Sequence, residues 1–350
     1  MDALGRSGHL FGWSWALLLT GSSLVAWAGD VAPSPQHPEG RFAPEGLPRY
    51  DIQLALDLNR KLIRANEQVR FTNHTNRAVK NVVFHVYPRY KVPDSDRMLL
   101  TKTVEMLRLS PEEGVDADGD RLSIQSVWVR DRASPAAFRY DPNDPTILEI
   151  DLERGLEPGQ SVELGVNFEL VLPPKWGRWC HYRDVTSLVN WYPVLAHLDD
   201  RGWERTPFVP WHQPWHQEAA TYRVTAVLPA NEEIASTGIV TTVMPLADGL
   251  KQVTIEAGPS RDFALVCSNR FRVWSRQLRP LRVRVLGFPE HAQNAARILE
   301  YACEVLPLYH DWFGPYHGRE MDYVAAFFGW NGNECSELVM LDDRVMRLPA

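Results

Sequence analysis

Two carboxylates close to the end of the sequence have the most specific chemistry. Glu334 lies in segment 330–341, where a glycine, a carboxylate and a short apolar run predict a strand with Glu334 at its margin. Such a carboxylate could pair with the ammonium of a peptide's free amino terminus, more strongly as water is excluded. Gly332 would let the backbone approach that substrate closely. The candidate substrate-binding residues are therefore Gly332, Asn333 and Glu334. Glu337 is the alternative to Glu334, and a solvated glutamate without a ligand is the plainer interpretation.

The histidines His212 and His216 are four residues apart, a spacing that places two zinc ligands on one face of a helix. Pro214 lies between them and argues against a regular helix, and although Glu218 is near, no third ligand is obvious. We therefore predict a loop here and no metal bound by this chain. The sequence also contains no H-E-x-x-H, no G-x-S-x-G and no phosphate-binding loop, so we assign no catalytic residue within it.

Tryptophans are concentrated in one part of the sequence. Their indoles could stack on sugar rings or line a peptide-binding cleft, but such large rings more often pack in a core or at a domain interface. We predict packing for this group and keep carbohydrate binding as an alternative. The group consists of Trp176, Trp179, Trp191, Trp203, Trp211 and Trp215.

Alternating apolar and polar residues predict many strands in the first three quarters of the sequence. The clearest runs are 50–58 and 162–170, in which every second residue is apolar, as in a half-buried strand. Turn-forming residues separate the runs, and we expect antiparallel strands without intervening helices. The fold class expected for 48–276 is therefore mainly β, a saddle-like antiparallel β-sandwich.

The pattern changes beyond this β region. After one more strand, apolar residues in segment 289–312 recur at the 3.6-residue period of a helix. Pro307 should kink or break this helix. Strands are then expected at 322–328 and 337–341. Segment 277–350 is therefore predicted to be the start of a mixed α/β domain.

The amino terminus has the three parts of a secretory signal peptide. A basic residue precedes an apolar stretch at 10–28, and Ala26 and Ala28 provide the small side chains that cleavage needs. We predict a signal peptide at 1–28, a flexible leader at 29–47 and export to the periplasm or the extracellular space. An uncleaved signal would instead keep the protein at a membrane, as a peripheral or anchored protein.

Charge and cysteine content narrow the class of protein. The net charge of −7 argues against a nucleic-acid partner, which would require a basic face. The length of 350 residues allows two domains. The cysteines are widely separated, which permits one disulfide or four small buried side chains but no dense disulfide framework. They are Cys180, Cys267, Cys303 and Cys335.

The order of these features resembles a known family, the gluzincin zinc aminopeptidases of the aminopeptidase N type, over about residues 50–341. The similar segments are 50–57 (the family's first strand), 82–88 (its "fHlyP" strand), 190–195 and 202–203 (a bacterial branch), and 228–229, 235–238 and 261–264 (the end of its β domain).

In that family a Gly-x-Met-Glu-Asn loop binds the amino terminus of the substrate, and segment 331–335 is similar to it. Asn333 stands where Met is usual, and Cys335 stands where Asn or Tyr is usual. The resemblance implies that Glu334 has the family's role, with Glu337 as the alternative alignment.

The resemblance also implies a fold, a cofactor and an activity. Segment 277–350 would begin a thermolysin-like catalytic domain, in which zinc held by H-E-x-x-H and a later Glu activates water for hydrolysis. Those ligands would lie beyond Ala350. The chain is therefore expected to be the N-terminal part of an exported zinc metallo-aminopeptidase, inactive alone and able at best to bind a peptide's amino terminus. The alternative is a non-catalytic β-rich peptide- or carbohydrate-binding protein.

Overall fold

The computed structural model describes residues 46–130, 132, 134–209 and 216–348. The predicted signal peptide and nearly all of the predicted leader lie outside these residues, as do His212, Trp211 and Trp215.

The strands are β1 (Arg49–Asp57), β2 (Leu62–Thr72), β3 (Val79–His85), β4 (Leu122–Val129), β5 (Phe138–Tyr140), β6 (Ile147–Leu156), β7 (Ser161–Val171), β8 (Trp179–Tyr182), β9 (Val185–Leu188), β10 (Val194–Leu195), β11 (Leu198–Asp199), β12 (Gly202–Trp203), β13 (Ala220–Pro229), β14 (Glu233–Ser236), β15 (Ile239–Pro245), β16 (Leu250–Ser260), β17 (Leu265–Ser268), β18 (Arg272–Leu278), β19 (Leu281–Gly287), β20 (Glu320–Ala326), β21 (Gly332–Cys335) and β22 (Leu338–Asp342). The helices are α1 (Asp94–Met106), α2 (Pro111–Gly114), α3 (Ala292–Phe313) and α4 (Asp343–Met346).

The largest sheet has seven strands in the order β15-β16-β13-β1-β2-β7-β4. In β1 every second residue is buried, from Tyr50 to Leu56, which confirms the alternation expected from the sequence. The pairs within this sheet are antiparallel except one, because β1 runs parallel to β13. Two four-stranded sheets, β10-β3-β6-β5 and β14-β17-β9-β8, complete the β region together with the β11-β12 pair.

Two main hydrophobic cores hold these sheets together. The first lies against the buried face of the seven-stranded sheet and contains Trp191, which is fully buried. The second joins residues of β9, β14 and β17 to the strands that follow and to α3. The structure is thus mainly β with several antiparallel sheets, as predicted. The predicted boundary near residue 277 stays a prediction.

The last sheet has five strands in the mixed order β18-β19-β20-β22-β21. β19, β20 and β22 are parallel, whereas β18 and β21 are antiparallel to their neighbours. Helix α3 packs on β18 and β19 through an apolar stripe that includes Ala295, Leu299 and Ala302. The helix and the two strands expected in this region are therefore confirmed, with boundaries shifted by a few residues.

Two expectations about helices were wrong. Helix α1 stands between β3 and β4, where no helix was expected, and Val104 is its one buried residue. Pro307 was expected to kink or break helix α3, and the break is wrong, because the helix continues to Phe313. A proline removes a single backbone donor, and the preceding turns of α3 are already packed against the sheet, so the helix is retained.

The described residues contain no helix long and apolar enough to cross a membrane. All four cysteines are free thiols, three of them buried, as expected of small apolar side chains.

Candidate functional site

Strand β21 carries the candidate residues Gly332, Asn333 and Glu334, and it is the last strand of the five-stranded sheet. It forms a hairpin with β22, and it has no second neighbouring strand among the described residues. The side chain of Asn333 is buried, whereas Glu334 is exposed. An edge strand of this kind can accept another extended chain through its backbone.

The hydrogen-bond register decides which backbone groups of β21 face outward. The N–H of Asp342 donates to the carbonyl oxygen of Asn331 at 3.1 Å, so these two residues form a bonded pair. Bonded and non-bonded pairs alternate along an antiparallel ladder. The N–H and C=O groups of Gly332 and Glu334 therefore point away from β22, toward the free edge.

The face on which Glu334 lies follows from its cross-strand neighbours. The register aligns Glu334 with Val339 of β22 and Tyr323 of β20, so all three side chains point to one face. Burial raises the pKa of Tyr323, and Tyr309 of α3 adds to this rise, which places Tyr323 beside α3. Glu334 thus lies at the edge of the face on which α3 packs.

The opposite face of the hairpin is held by the β region. Cys335 aligns with Leu338 and Asp322, and the carboxylate of Asp322 accepts a hydrogen bond from the backbone N–H of Ser236 in β14 at 3.2 Å. The side chain of Asn333 points to this same buried face and donates toward the sulfur of Cys335 at 3.4 Å. The β14-β17-β9-β8 sheet therefore contacts the five-stranded sheet through β20, on the side away from Glu334.

The turn of the hairpin is fixed by two neighbouring residues of the β region. The N–H of Ser336 donates to Oδ1 of Asp262 at 2.8 Å, and the N–H of Arg261 donates to Oγ of Ser336 at 3.2 Å. Burial raises the pKa of Asp262, and the hydrogen bonds from Ser336 oppose that rise. These contacts determine the position of the whole hairpin relative to the β region.

A buried cation lies behind the start of β21. The guanidinium of Arg178 is 5.0 Å from the centre of the Trp330 ring, a cation–π distance. Burial lowers the pKa of Arg178 to about 10, and the neighbouring Cys335 thiol opposes that shift. Burial also raises the pKa of Cys335, so the thiol stays protonated and is a poor nucleophile.

The loop that leads into β21 is held by Asp342. Its carboxylate accepts hydrogen bonds from the N–H of Gly329 at 3.0 Å and from Nε of Arg344 at 2.8 Å. Nη2 of Arg344 in turn donates to the carbonyl oxygen of Gly329 at 2.7 Å. Gly329 has φ of 95°, a conformation that favours glycine. These contacts hold the loop that leads into the candidate strand against the end of β22 and against α4.

Glu337, the alternative to Glu334, occupies a different environment. It is the second residue of the two-residue turn between β21 and β22 and has φ of 60°. Burial raises the pKa of its carboxyl, and a hydrogen bond from the N–H of Gly238 opposes that rise. The carboxylate of Glu337 therefore turns inward toward the β14–β15 connection, whereas Glu334 is exposed.

Gly332 is not required by the fold of the described residues. Its φ is not in the positive region, and a Cβ at this position would meet only the carbonyl oxygen of Met340, at an ordinary 3.6 Å. The absence of a side chain leaves the outer edge of β21 open to close approach.

Three potential metal ligands meet in another part of the molecule. His197 lies between β10 and β11, and His216 and Glu218 precede β13. One donor atom from each of the three lies within 4.8 Å of the other two. The spacing of histidines in the sequence pointed to His212 and His216 as the possible pair of metal ligands. It could not suggest His197, which comes from a separate loop.

The tryptophans pack as expected where the structure describes them. Trp203 donates from Nε1 to the carbonyl oxygen of Asn81 at 3.1 Å, and Trp191 is fully buried. Trp176 and Trp179 line a cavity of about 110 Å³. Pockets that enclose small organic ligands are usually ~300–1,000 Å³. This cavity is smaller than such a pocket, and carbohydrate binding by the tryptophans stays an alternative prediction.

Comparison with known proteins adds no relative. No protein-family model matches the chain, and a search of curated proteins finds no match. The resemblance to the zinc aminopeptidases therefore rests on the residues quoted above, and the argument for function rests on the geometry of β21.

Proposed function

We propose that this chain is the N-terminal part of an exported zinc metallo-aminopeptidase, and that β21 binds the amino terminus and backbone of a peptide. The observation that carries the proposal is the outer edge of β21. There, two backbone positions face outward beside the exposed carboxylate of Glu334. An extended peptide can pair with such an edge in the way that peptides add a strand to an open sheet.

Glu334 would supply the specificity for a free amino terminus. Its carboxylate lies on the same strand whose backbone would pair with the peptide, so the ammonium and the first peptide group could be bound together. A charge-assisted hydrogen bond contributes about 1.5–3 kcal/mol. Within the family resemblance, segment 277–350 would begin the thermolysin-like catalytic domain, and the mixed five-stranded sheet with an antiparallel edge strand is compatible with that interpretation.

The zinc site of that family does not fit the residues of this chain. The sequence contains no H-E-x-x-H. The histidine and glutamate cluster at 197, 216 and 218 draws its ligands from loops rather than from one helix. We therefore derive no hydrolytic step here and assign the chain a binding role toward the substrate.

A binding experiment tests this role directly. The purified chain should bind a short peptide with a free amino terminus at least about 10-fold more tightly than the same peptide after amino-terminal acetylation, because acetylation removes the charge. The chain alone should not hydrolyse aminoacyl-arylamides, whereas a chain extended through an H-E-x-x-H helix should. Equal affinity for both peptides would contradict the proposal, as would hydrolysis by this chain that resists chelation.

A further inference from the structure

The cluster of His197, His216 and Glu218 brings together donors of the kind that bind transition metals. Nδ1 of His197 is in contact with Oε1 of Glu218, and Nε2 of His216 is 3.9 Å from the same oxygen. The two imidazole rings are nearly parallel, with centres 4.5 Å apart. Imidazole and carboxylate together are suited to zinc.

The backbone explains why these three side chains meet. His216 and Glu218 flank the buried Gln217 in the segment before β13, and both of their side chains are exposed. His197 is held on both flanks: the N–H of Ala196 donates to the carbonyl oxygen of Val83 at 2.9 Å, and the N–H of Glu204 donates to the carbonyl oxygen of His197 at 2.8 Å. One ligand is therefore fixed by the sheet, and two approach it from the neighbouring segment.

The distances are close to those of a zinc site. Ligand atoms ~2.0–2.2 Å from a tetrahedral zinc are about 3.3–3.6 Å apart. The donor atoms here span up to 4.8 Å, so the largest gap must close by about 1.5 Å. Side-chain rotation can supply this movement, because His216 and Glu218 are about half exposed. Both rings must also turn out of their stacked arrangement to direct one nitrogen each at a single metal.

The donor set suits a divalent cation. A nitrogen of each imidazole lies near the same carboxylate oxygen of Glu218, so three ligand atoms are gathered in one place. A divalent cation satisfies both rings and the carboxylate at once. It leaves a fourth position for water, because a tetrahedral zinc has four ligands.

We propose that His197, His216 and Glu218 form a zinc site that ties the segment before β13 to the loop after β10. This departs from the sequence-based expectation that the chain binds no metal. The site is separate from the aminopeptidase zinc and does not depend on the proposed function.

The test uses the purified chain, prepared with a tag that contains no histidine, stripped with a chelator and titrated with zinc chloride. One zinc per chain should bind, and zinc should raise the midpoint of thermal unfolding, because a ligand that binds only the folded state stabilises it. Loss of an outer-shell partner already costs about 10–100-fold in metal affinity. His197→Ala and Glu218→Gln should therefore each weaken zinc binding by about 100-fold or more.

His310→Ala is the matched control, because His310 is exposed on α3, away from the three ligands. This variant should bind zinc as the unchanged chain does. Thermal unfolding without zinc shows whether each variant is folded, and Glu218→Gln alters only an exposed side chain. The proposal is overturned if the unchanged chain binds less than one zinc, if both ligand variants keep its affinity, or if His310→Ala weakens binding as much as His197→Ala.

Discussion

The seven-stranded sheet and the five-stranded sheet both bury a carboxyl group, but they stabilise it differently. Glu67 of β2 is fully buried between Ile52 and Val166, and neither of its oxygens has a hydrogen-bond partner among the described residues. Asp322 of β20 is equally buried, but Nε of Arg284 donates to it at 2.7 Å and Nη2 of Arg284 is in contact with it as well. Burial raises the pKa of the first carboxyl, whereas an arginine pairs with the second.

The difference reflects what each group does in the fold. Glu67 lies within one core and contacts no other layer through hydrogen bonds. The Asp322 pair joins two sheets, because Arg284 also donates to the carbonyl oxygen of Ile234 at 3.1 Å and Asp322 accepts from Ser236. This junction supports the face of the five-stranded sheet that lies opposite Glu334. The ion pair of Arg284 and Asp322 thus lies where two sheets are joined behind the candidate strand, and the unpartnered Glu67 lies within a single apolar core.

The largest effect should come from breaking the junction. Arg284→Met should lower the free energy of unfolding by about 3–5 kcal/mol, because it leaves Asp322 buried and unpaired, with Glu320 beside it. Urea denaturation at neutral pH measures the loss. A matched double variant, Arg284→Met with Asp322→Leu, should recover much of the stability, since an apolar pair needs no partner. A change under 1 kcal/mol in the single variant would show that the ion pair does not hold the sheets together.

The next largest effect concerns the exposed carboxylate of the same sheet. Glu334→Gln keeps the shape and removes the charge, so affinity for a peptide with a free amino terminus should fall by roughly one to two decades. Isothermal titration with free and acetylated peptides checks this, and the acetylated peptide should be nearly insensitive to the change.

Glu300→Gln provides the control for Glu334→Gln, because Glu300 is an exposed glutamate on α3 and has no assigned role. Its substitution should leave peptide affinity within about a factor of two. If both variants lose affinity equally, general surface charge and not Glu334 attracts the peptide.

Replacing the buried, unpartnered Glu67 should give a smaller effect of opposite sign. Glu67→Met should raise the free energy of unfolding by about 1–3 kcal/mol at pH 7.5, because it removes a buried polar group without partners. Burial raises the pKa of Glu67, so the folded chain binds the proton more tightly than the unfolded chain. Tighter proton binding by Glu67 therefore contributes to the free energy of unfolding. This contribution is fully present below the unfolded pKa of about 4.3 and is lost as the pH rises through the folded pKa.

The pH dependence provides the check on Glu67. The advantage of Glu67→Met over the unchanged chain should be smaller at pH 5 than at pH 7.5, as measured by urea denaturation at each pH. Glu67→Gln should remove the pH dependence as well, although it keeps a buried polar group. An advantage independent of pH would mean that Glu67 is already ionised in the folded chain at pH 5.

The sequence predicted the parts of the fold that follow from local periodicity. The alternation in β1 and β7 and the apolar stripe of α3 are repeated patterns, so they could be recognised without the structure. Helix α1 could not be, because Val104 is its one buried residue and it therefore has no apolar stripe. The parallel pairing of β1 with β13 could not be predicted either, since it joins segments far apart in the chain.

The candidate site was predictable only in part, because many of its contacts join segments that are far apart in the chain. Glu334 could be proposed from the sequence because its neighbours in sequence form the strand that carries it. The groups that position this strand, such as Arg178 and Asp262, come from distant segments and have no local signal that links them to β21. His197 had no local signal for the same reason, because His216 and Glu218 approach it from a separate segment of the chain.

The smallest effect separates the two glutamates of the hairpin. The carboxylate of Glu337 turns inward and accepts a hydrogen bond from the N–H of Gly238, and Gln at this position keeps an acceptor oxygen. Glu337→Gln should therefore cost about 0.5–1.5 kcal/mol of stability at most and change peptide affinity by less than about threefold. Titration of both variants with one peptide measures the contrast. If Glu337→Gln abolished binding and Glu334→Gln did not, the peptide's amino terminus would lie at the turn, behind the sheet, and the outer edge of β21 would not be the binding surface. If neither mattered, the similarity of segment 331–335 to an amino-terminus-binding loop would have no functional meaning.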